Sequence, residues 1–213
     1  MFEQTFRKPH HLDPAYRTAL IVCAALNLAM LFIEGSAGLW IGSAALLADA
    51  GDFLEDAAVL TFALVAIGWS ARARAAAGLV QGFAMAGVGL GAIVQIVLRI
   101  LKGGAPSPAL MAGVAALALA VNGYCAVRLV RFRGGDASMR AIWLSTRNDA
   151  LLNVLTLAAA AFIAIARSGW PDIIAGAIIA TVNLFGSVGI VSAATGEMRK
   201  MQRGGNPLIR RDL

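Results

Sequence analysis

Six runs of predominantly apolar residues, at 17–38, 41–67, 76–101, 108–130, 140–166 and 171–195, constrain this chain more than any other feature. Each reaches the roughly 20 residues that a helix needs to cross the ~30 Å hydrocarbon core of a bilayer. Lipid offers no partner to a backbone N–H or C=O, so such runs become helices, in which those groups pair within the segment. Only 14% of the residues are charged, against roughly 25% in soluble domains. The expected fold class is an all-α integral membrane protein with six transmembrane helices. The expected organisation is a tail over 1–16, a membrane domain over 17–195 and a short basic tail over 196–213. No cleavable signal peptide is expected, since the first seventeen residues are polar and mixed. The few residues after the sixth run are not expected to form a second core.

The joints between runs carry turn and interface residues: GLWIGS (38–43), WSARARA (69–75), KGGAPSP (102–108), RFRGGDAS (131–138) and RSGWP (167–171). Trp40, Trp69 and Trp170 fall at expected span ends, where an indole favours the headgroup layer, and Trp143 fits that belt less closely. With the N-terminus in the cytoplasm, fourteen of the eighteen lysines and arginines fall on the cytoplasmic side. Arg99, Lys102 and Arg167 fall outside, and Arg147 lies within a span. This asymmetry predicts that both termini are cytoplasmic. It places the net charge of +6 at the ends of apolar segments, which suits an inner or plasma membrane and not a nucleic-acid partner. Cys23 and Cys125 both fall in apolar runs without CxxC spacing and are expected to be free, buried thiols.

The acids are the anomaly. LADAGDFLED (47–56) puts Asp49, Asp52, Glu55 and Asp56 inside the second run. Each Asp at the centre of a span costs roughly 2.5–3.5 kcal/mol, so two or three cost about 5–10 kcal/mol. At about 100° per residue, Asp49, Asp52 and Asp56 share an arc of about 60°, with Glu55 at its edge. In the fifth run, WLSTRNDALLN (143–153) places Asp149 one turn after Ser145 on the same face, flanked by Asn148 and Asn153. Asp52 is roughly 16 Å into its span and Asp149 roughly 15 Å into its own, so both reach the midplane. Two oxygen-rich faces at one depth can surround a divalent cation, whose charge offsets the clustered carboxylates. The structural alternative is that a carboxylate pairs with an arginine or caps a broken helix. Arg147, on the far side of its helix from Asp149, is poorly placed for that.

At this point the sequence resembles the cation diffusion facilitator family, six-helix exporters that exchange divalent metal ions for protons. In that family the second span carries an ADAxHxxxD or ADxxxDxxxD-like stretch and the fifth carries HxxxD. SAALLADAGDFLEDAAVL (43–60) is similar to the former and STRNDALLNVL (145–155) to the latter, within a likeness over roughly residues 10–200. The resemblance implies Asp52, Asp56 and Asp149 as metal ligands. Ser145 stands where the zinc-transporting members carry His, so Asn148, Asn153 or water is expected to complete the shell. An oxygen-dominated set relaxes preference for zinc relative to manganese, iron, cobalt or cadmium. The resemblance further implies metal–proton antiport, no tightly bound cofactor, and a homodimer resting on the membrane part. The family's usual cytoplasmic domain is not expected among the residues that follow the sixth run.

Other polar features have more than one reading. Glu34 and Asn27, seven residues apart in the first run, line an access path, bind protons or act as polar glue between helices. Asp49 is an accessory group, serving the exit path or hydrogen-bonding neighbouring helices. Gly78/Gly82 and Gly87/Gly91 form two GxxxG pairs suited to close helix packing, within the chain or across a dimer. His10 and His11 lie in a polar tail, as cytoplasmic metal capture or by chance. Asp172 is expected to favour the dipole of the sixth helix, and the tail over 199–211 to meet anionic headgroups. There is no Ser/His/Asp set, HExxH or nucleotide loop, so an enzyme is not expected. Besides the exporter, the carboxylates are compatible with a channel-like cation conductor. They are also compatible with an interaction protein whose acids meet a partner's basic helix.

Overall fold

The computed structural model describes residues 13–65, 69–134 and 137–204. Six helices follow in order: α1 (Pro14–Ile41), α2 (Ala44–Val65), α3 (Ala71–Lys102), α4 (Pro108–Leu129), α5 (Ala137–Ala166) and α6 (Trp170–Gly204). A single 3₁₀ turn, Val130–Phe132, extends α4, and there is no strand among the described residues. His10 and His11 lie outside the described residues, as do 205–213 of the basic tail.

Five of the helices are long and apolar enough to cross a membrane. The exception is α2, whose four acids lower its hydropathy although it is 22 residues long and packs among the others. Surface and interior are inverted relative to a soluble protein. Asn27, Glu34, Asn122, Asn153 and Asn183 are buried, while Phe32, Val80, Ile165 and Phe185 are exposed. Apolar side chains on the perimeter and polar ones inside are what a hydrocarbon solvent selects. The chain is a multi-pass membrane protein.

Helix ends follow local chemistry. Asp13 caps α1 by accepting a 2.9 Å hydrogen bond from the Ala15 amide, and Pro14 occupies the first helical position. Gly42 ends α1 in the left-handed region (φ 67°), which a residue with a Cβ adopts at a cost. The joint expected over 38–43 therefore shrinks to Gly42 and Ser43. Ser70 caps α3 through the Ala73 amide at 3.2 Å, so most of the expected joint over 69–75 is helix. α6 continues to Gly204, so the tail expected from 196 begins as helix.

The principal pairings are α3 with α6, α1 with α2 and α4 with α5. α2 also packs on α3, α5 and α6 and is the hub of the bundle. Small residues make this possible. A Cβ on Gly176 of α6 would lie 2.7 Å from the carbonyl carbon of Ala44, so glycine is what lets α6 touch the start of α2. Of the two GxxxG pairs, Gly78 and Gly82 face α6 of the same chain, where a Cβ on Gly82 would lie 2.6 Å from Val191. Gly87 meets nothing within 4 Å of its Cβ position and lies exposed on the outer face of α3.

Asp172 lies in the first turn of α6 as expected, but its carboxylate serves another helix. It accepts hydrogen bonds from the Ser43 hydroxyl (2.6 Å) and from the amides of Ala44 (2.9 Å) and Ala45 (3.1 Å). It thus caps α2 across 129 residues of sequence. At the same end, Arg99 of α3 donates to the carbonyls of Ile41 (2.9 Å) and Gly42. The start of α2 is pinned from both sides.

Candidate metal centre

α2 presents Asp49, Asp52 and Asp56 to the interior, as their spacing predicts, and Glu55 is half-buried at the edge of that face. α5 presents Asp149 to the same region. Exposure in this group is small, 5% for Asp52, 3% for Asp56 and 9% for Asp149, so all three acids are shielded from solvent. The side chains of Asp56 and Asp149 lie within hydrogen-bonding reach of each other across the α2–α5 contact. Asp149, Asp49, Glu55 and Asp56 all lie close enough to Asp52 to act on it electrostatically. Two carboxylates are only acceptors when ionised, so such a contact is repulsive unless a proton or a cation lies between them.

The partners of these acids are few. Asp56 accepts a 3.3 Å hydrogen bond from the Thr146 hydroxyl, which also donates to the Ile142 carbonyl. Asp52 keeps one buried oxygen, Oδ2, with no partner. Among the described residues, no three His, Cys, Asp or Glu side chains already converge tightly enough to grip one ion. The carboxylates instead meet in pairs, and their oxygens are hard donors of the kind that divalent cations take.

A second polar group lies one turn nearer the start of α2. Asn122 of α4 donates to Asn153 of α5 (3.0 Å), which donates to Asp49 of α2 (2.8 Å). Glu34 of α1 is fully buried beside Asp49, and neither of its oxygens has a partner. Four helices therefore contribute to one polar spine, with amide-bound Asp49 at one end and the Asp52, Asp56 and Asp149 cluster at the other.

The sequence-derived ligands fare differently. Asp52, Asp56 and Asp149 are all buried on the facing sides of α2 and α5, where they meet in pairs and not as a closed set of three. Ser145 is half-buried one turn before Asp149. Asn148 is exposed, and its Oδ1 accepts a hydrogen bond from Arg147 (3.1 Å), so the structure does not bring it to the acids. Asn153 is buried but engages Asp49, not Asp149. Arg147 is exposed, with its guanidinium 5.4 Å from the ring centre of Trp143, and it is no counter-ion for the cluster. Asn27 packs between α1 and α4, away from Glu34. Thr146 and Asn122 are additional members that spacing did not single out. The signal for Asn122 was its being the lone carboxamide of α4, in the middle of a largely apolar helix.

A family model for the cation efflux transmembrane domain matches residues 20–198. Comparison with curated proteins finds no match.

Proposed function

Because this chain belongs to the cation efflux (cation diffusion facilitator) family of membrane transporters, we propose that it exports divalent transition-metal ions in exchange for protons. Asp52, Asp56 and Asp149 hold the ion at the membrane midplane. The observation that carries this reading is the buried contact of Asp56 with Asp149, beside an Asp52 oxygen that has no partner. Such a group needs either a proton or a cation, and exchange of one for the other is antiport. Metal arriving from the cytoplasm displaces protons from the carboxylates, the helices rock, and external protons release the metal. Ser145 or water supplies the remaining oxygen. The near-complete burial of all three acids supports an alternating exchanger over an open conductor. The oxygen set supports a broad range of ions, from zinc and cadmium to manganese, iron and cobalt. The exposed outer face of α3 around Gly87 supports a homodimer seated there, in an inner or plasma membrane.

Proteoliposomes carrying an internal pH dye test the assignment. Metal addition drives proton flux through the wild type, and Asp52→Ala and Asp149→Ala each lower it on the order of a hundredfold, as loss of about 2.7 kcal/mol of binding implies. Unchanged flux in both variants overturns the site. A pH gradient that drives metal uphill separates exchange from passive conduction.

A further inference from the structure

Cys23 of α1 and Cys125 of α4 are both free and fully buried, and their side chains lie within hydrogen-bonding reach of each other. Asn27, one turn after Cys23, donates from Nδ2 to the Cys23 carbonyl (2.8 Å) and to Cys125 Sγ (3.9 Å). The other end of that carboxamide, Oδ1, is buried with no partner at all. A flipped amide would set Oδ1 against the Cys23 carbonyl, so the orientation is fixed by its donors. A buried cysteine by itself is a small apolar filler. Two thiols facing each other from different helices beside an orphaned amide oxygen form a three-donor set.

The location gives this set a role. Cys23 and Cys125 belong to one core cluster with Leu60, which lies one turn beyond Asp56 along α2 toward the cytoplasmic end. Tyr16, Phe132 and Met139 belong to the same cluster. The Tyr16 and Phe132 rings, 4.9 Å apart, lie at the start of α1 and just past the end of α4, the ends that the basic-residue asymmetry assigns to the cytoplasm. Asp56 is close enough to act electrostatically on both thiols.

We propose that Cys23, Cys125 and Oδ1 of Asn27 form a second metal station, for soft divalent cations such as Zn²⁺ or Cd²⁺, on the cytoplasmic side of the carboxylate cluster. Binding releases one proton from each thiol to water and forms two metal–sulfur bonds. Two thiolates neutralise a divalent ion, which suits a site with no water to solvate net charge. A turn of the Asn27 side chain that gives up the Nδ2–sulfur contact brings Oδ1 in as a third ligand, and a water completes a tetrahedron. Thiolates favour zinc and cadmium over manganese, so the station adds a soft preference that the oxygen site lacks. Its place on the transport route rests on the function proposed above, whereas its ability to bind metal does not.

The test uses the full chain in lipid nanodiscs and Cd²⁺ as the probe. Cd²⁺ produces an ultraviolet sulfur-to-metal charge-transfer band in the wild type. The band is lost in Cys23→Ser and Cys125→Ser and retained in Asp52→Ala. In the unmodified protein, Cd²⁺ slows alkylation of both cysteines by a membrane-permeant maleimide about tenfold or more, whereas Mn²⁺ at the same concentration does not. Absence of the band and of this protection in the wild type overturns the station, even where Asp52→Ala abolishes transport. A band that survives Cys125→Ser also overturns it. A band present in a protein whose transport ignores Asp52→Ala leaves the station standing and removes the carboxylate site.

Discussion

The two ends of the first half of α2 treat buried carboxylates in opposite ways. At its start, Asp172 has three donors from Ser43, Ala44 and Ala45 and is fully buried. Two turns further on, Asp52 keeps an oxygen with no donor, and its nearest charged neighbours are other acids. Both acids are shielded from lipid, so burial does not distinguish them. Satisfaction does. A carboxylate whose oxygens are occupied by the fold is a structural clasp, whereas one left unsatisfied against like charge awaits a cation or a proton. The α2 helix is thus anchored at one end and chemically unfinished in its middle.

The sharpest way to break that contrast is to remove each acid and read stability and transport separately. Asp172→Ala strands a hydroxyl and two amides in a dry interior and destabilises the protein by about 2–4 kcal/mol. Its melting temperature in detergent drops accordingly, while transport per folded molecule persists. Asp52→Asn has the reverse signature: transport collapses while the melting temperature holds or rises, because like-charge crowding is relieved. If Asp172→Ala melts like the wild type, or Asp52→Asn melts far below it, satisfaction is the wrong criterion.

Which parts of this were legible in the sequence follows from the range of the interactions. The helices were legible because an apolar run is a local property, and the 3–4 spacing of Asp49, Asp52 and Asp56 set their shared face without any knowledge of the partner. Asp149 followed by matching depth. The target of Asp172 was not legible. Position near a helix start points to that helix's own dipole, and only the packing of α6 on α2 through Gly176 reveals the other recipient. Asn148 and Asn153 looked equivalent around Asp149. Yet one turns outward to Arg147 and the other inward to Asp49, because α5 is rotated to seat Asn153 against α4. Both GxxxG pairs were ambiguous between partners; the fold turns Gly78 and Gly82 to α6 and Gly91 to Leu47 of α2, and leaves Gly87 open.

A smaller effect tests the outer polar group. Asn153 stands between Asn122 and Asp49 and satisfies one group on each. Asn153→Ala leaves Asp49 without its amide donor and costs about 1–3 kcal/mol of stability. Asn153→Asp is worse still, since it faces Asp49 with a second carboxylate. If Asn122→Ala and Asn153→Ala sum independently in a double-mutant cycle, the spine is not a coupled network.

The smallest expected effect comes from Thr146, whose hydroxyl divides itself between the Ile142 carbonyl and Asp56. Its 3.3 Å contact with Asp56 is long, and the hydroxyl has a second acceptor inside its own helix, so it orients the carboxylate without holding it firmly. Thr146→Val preserves shape and removes only the hydroxyl. Metal affinity of the carboxylate site falls severalfold, the equivalent of about 0.5–1.5 kcal/mol for one neutral hydrogen bond. Stability changes by less, because a hydroxyl bonded to its own helix backbone contributes little. Thr146→Ser restores the affinity. Calorimetric titration of Mn²⁺, which avoids the thiols, reads this directly. An affinity loss as large as that of Asp149→Ala makes Thr146 a ligand in its own right, and no loss at all removes it from the site.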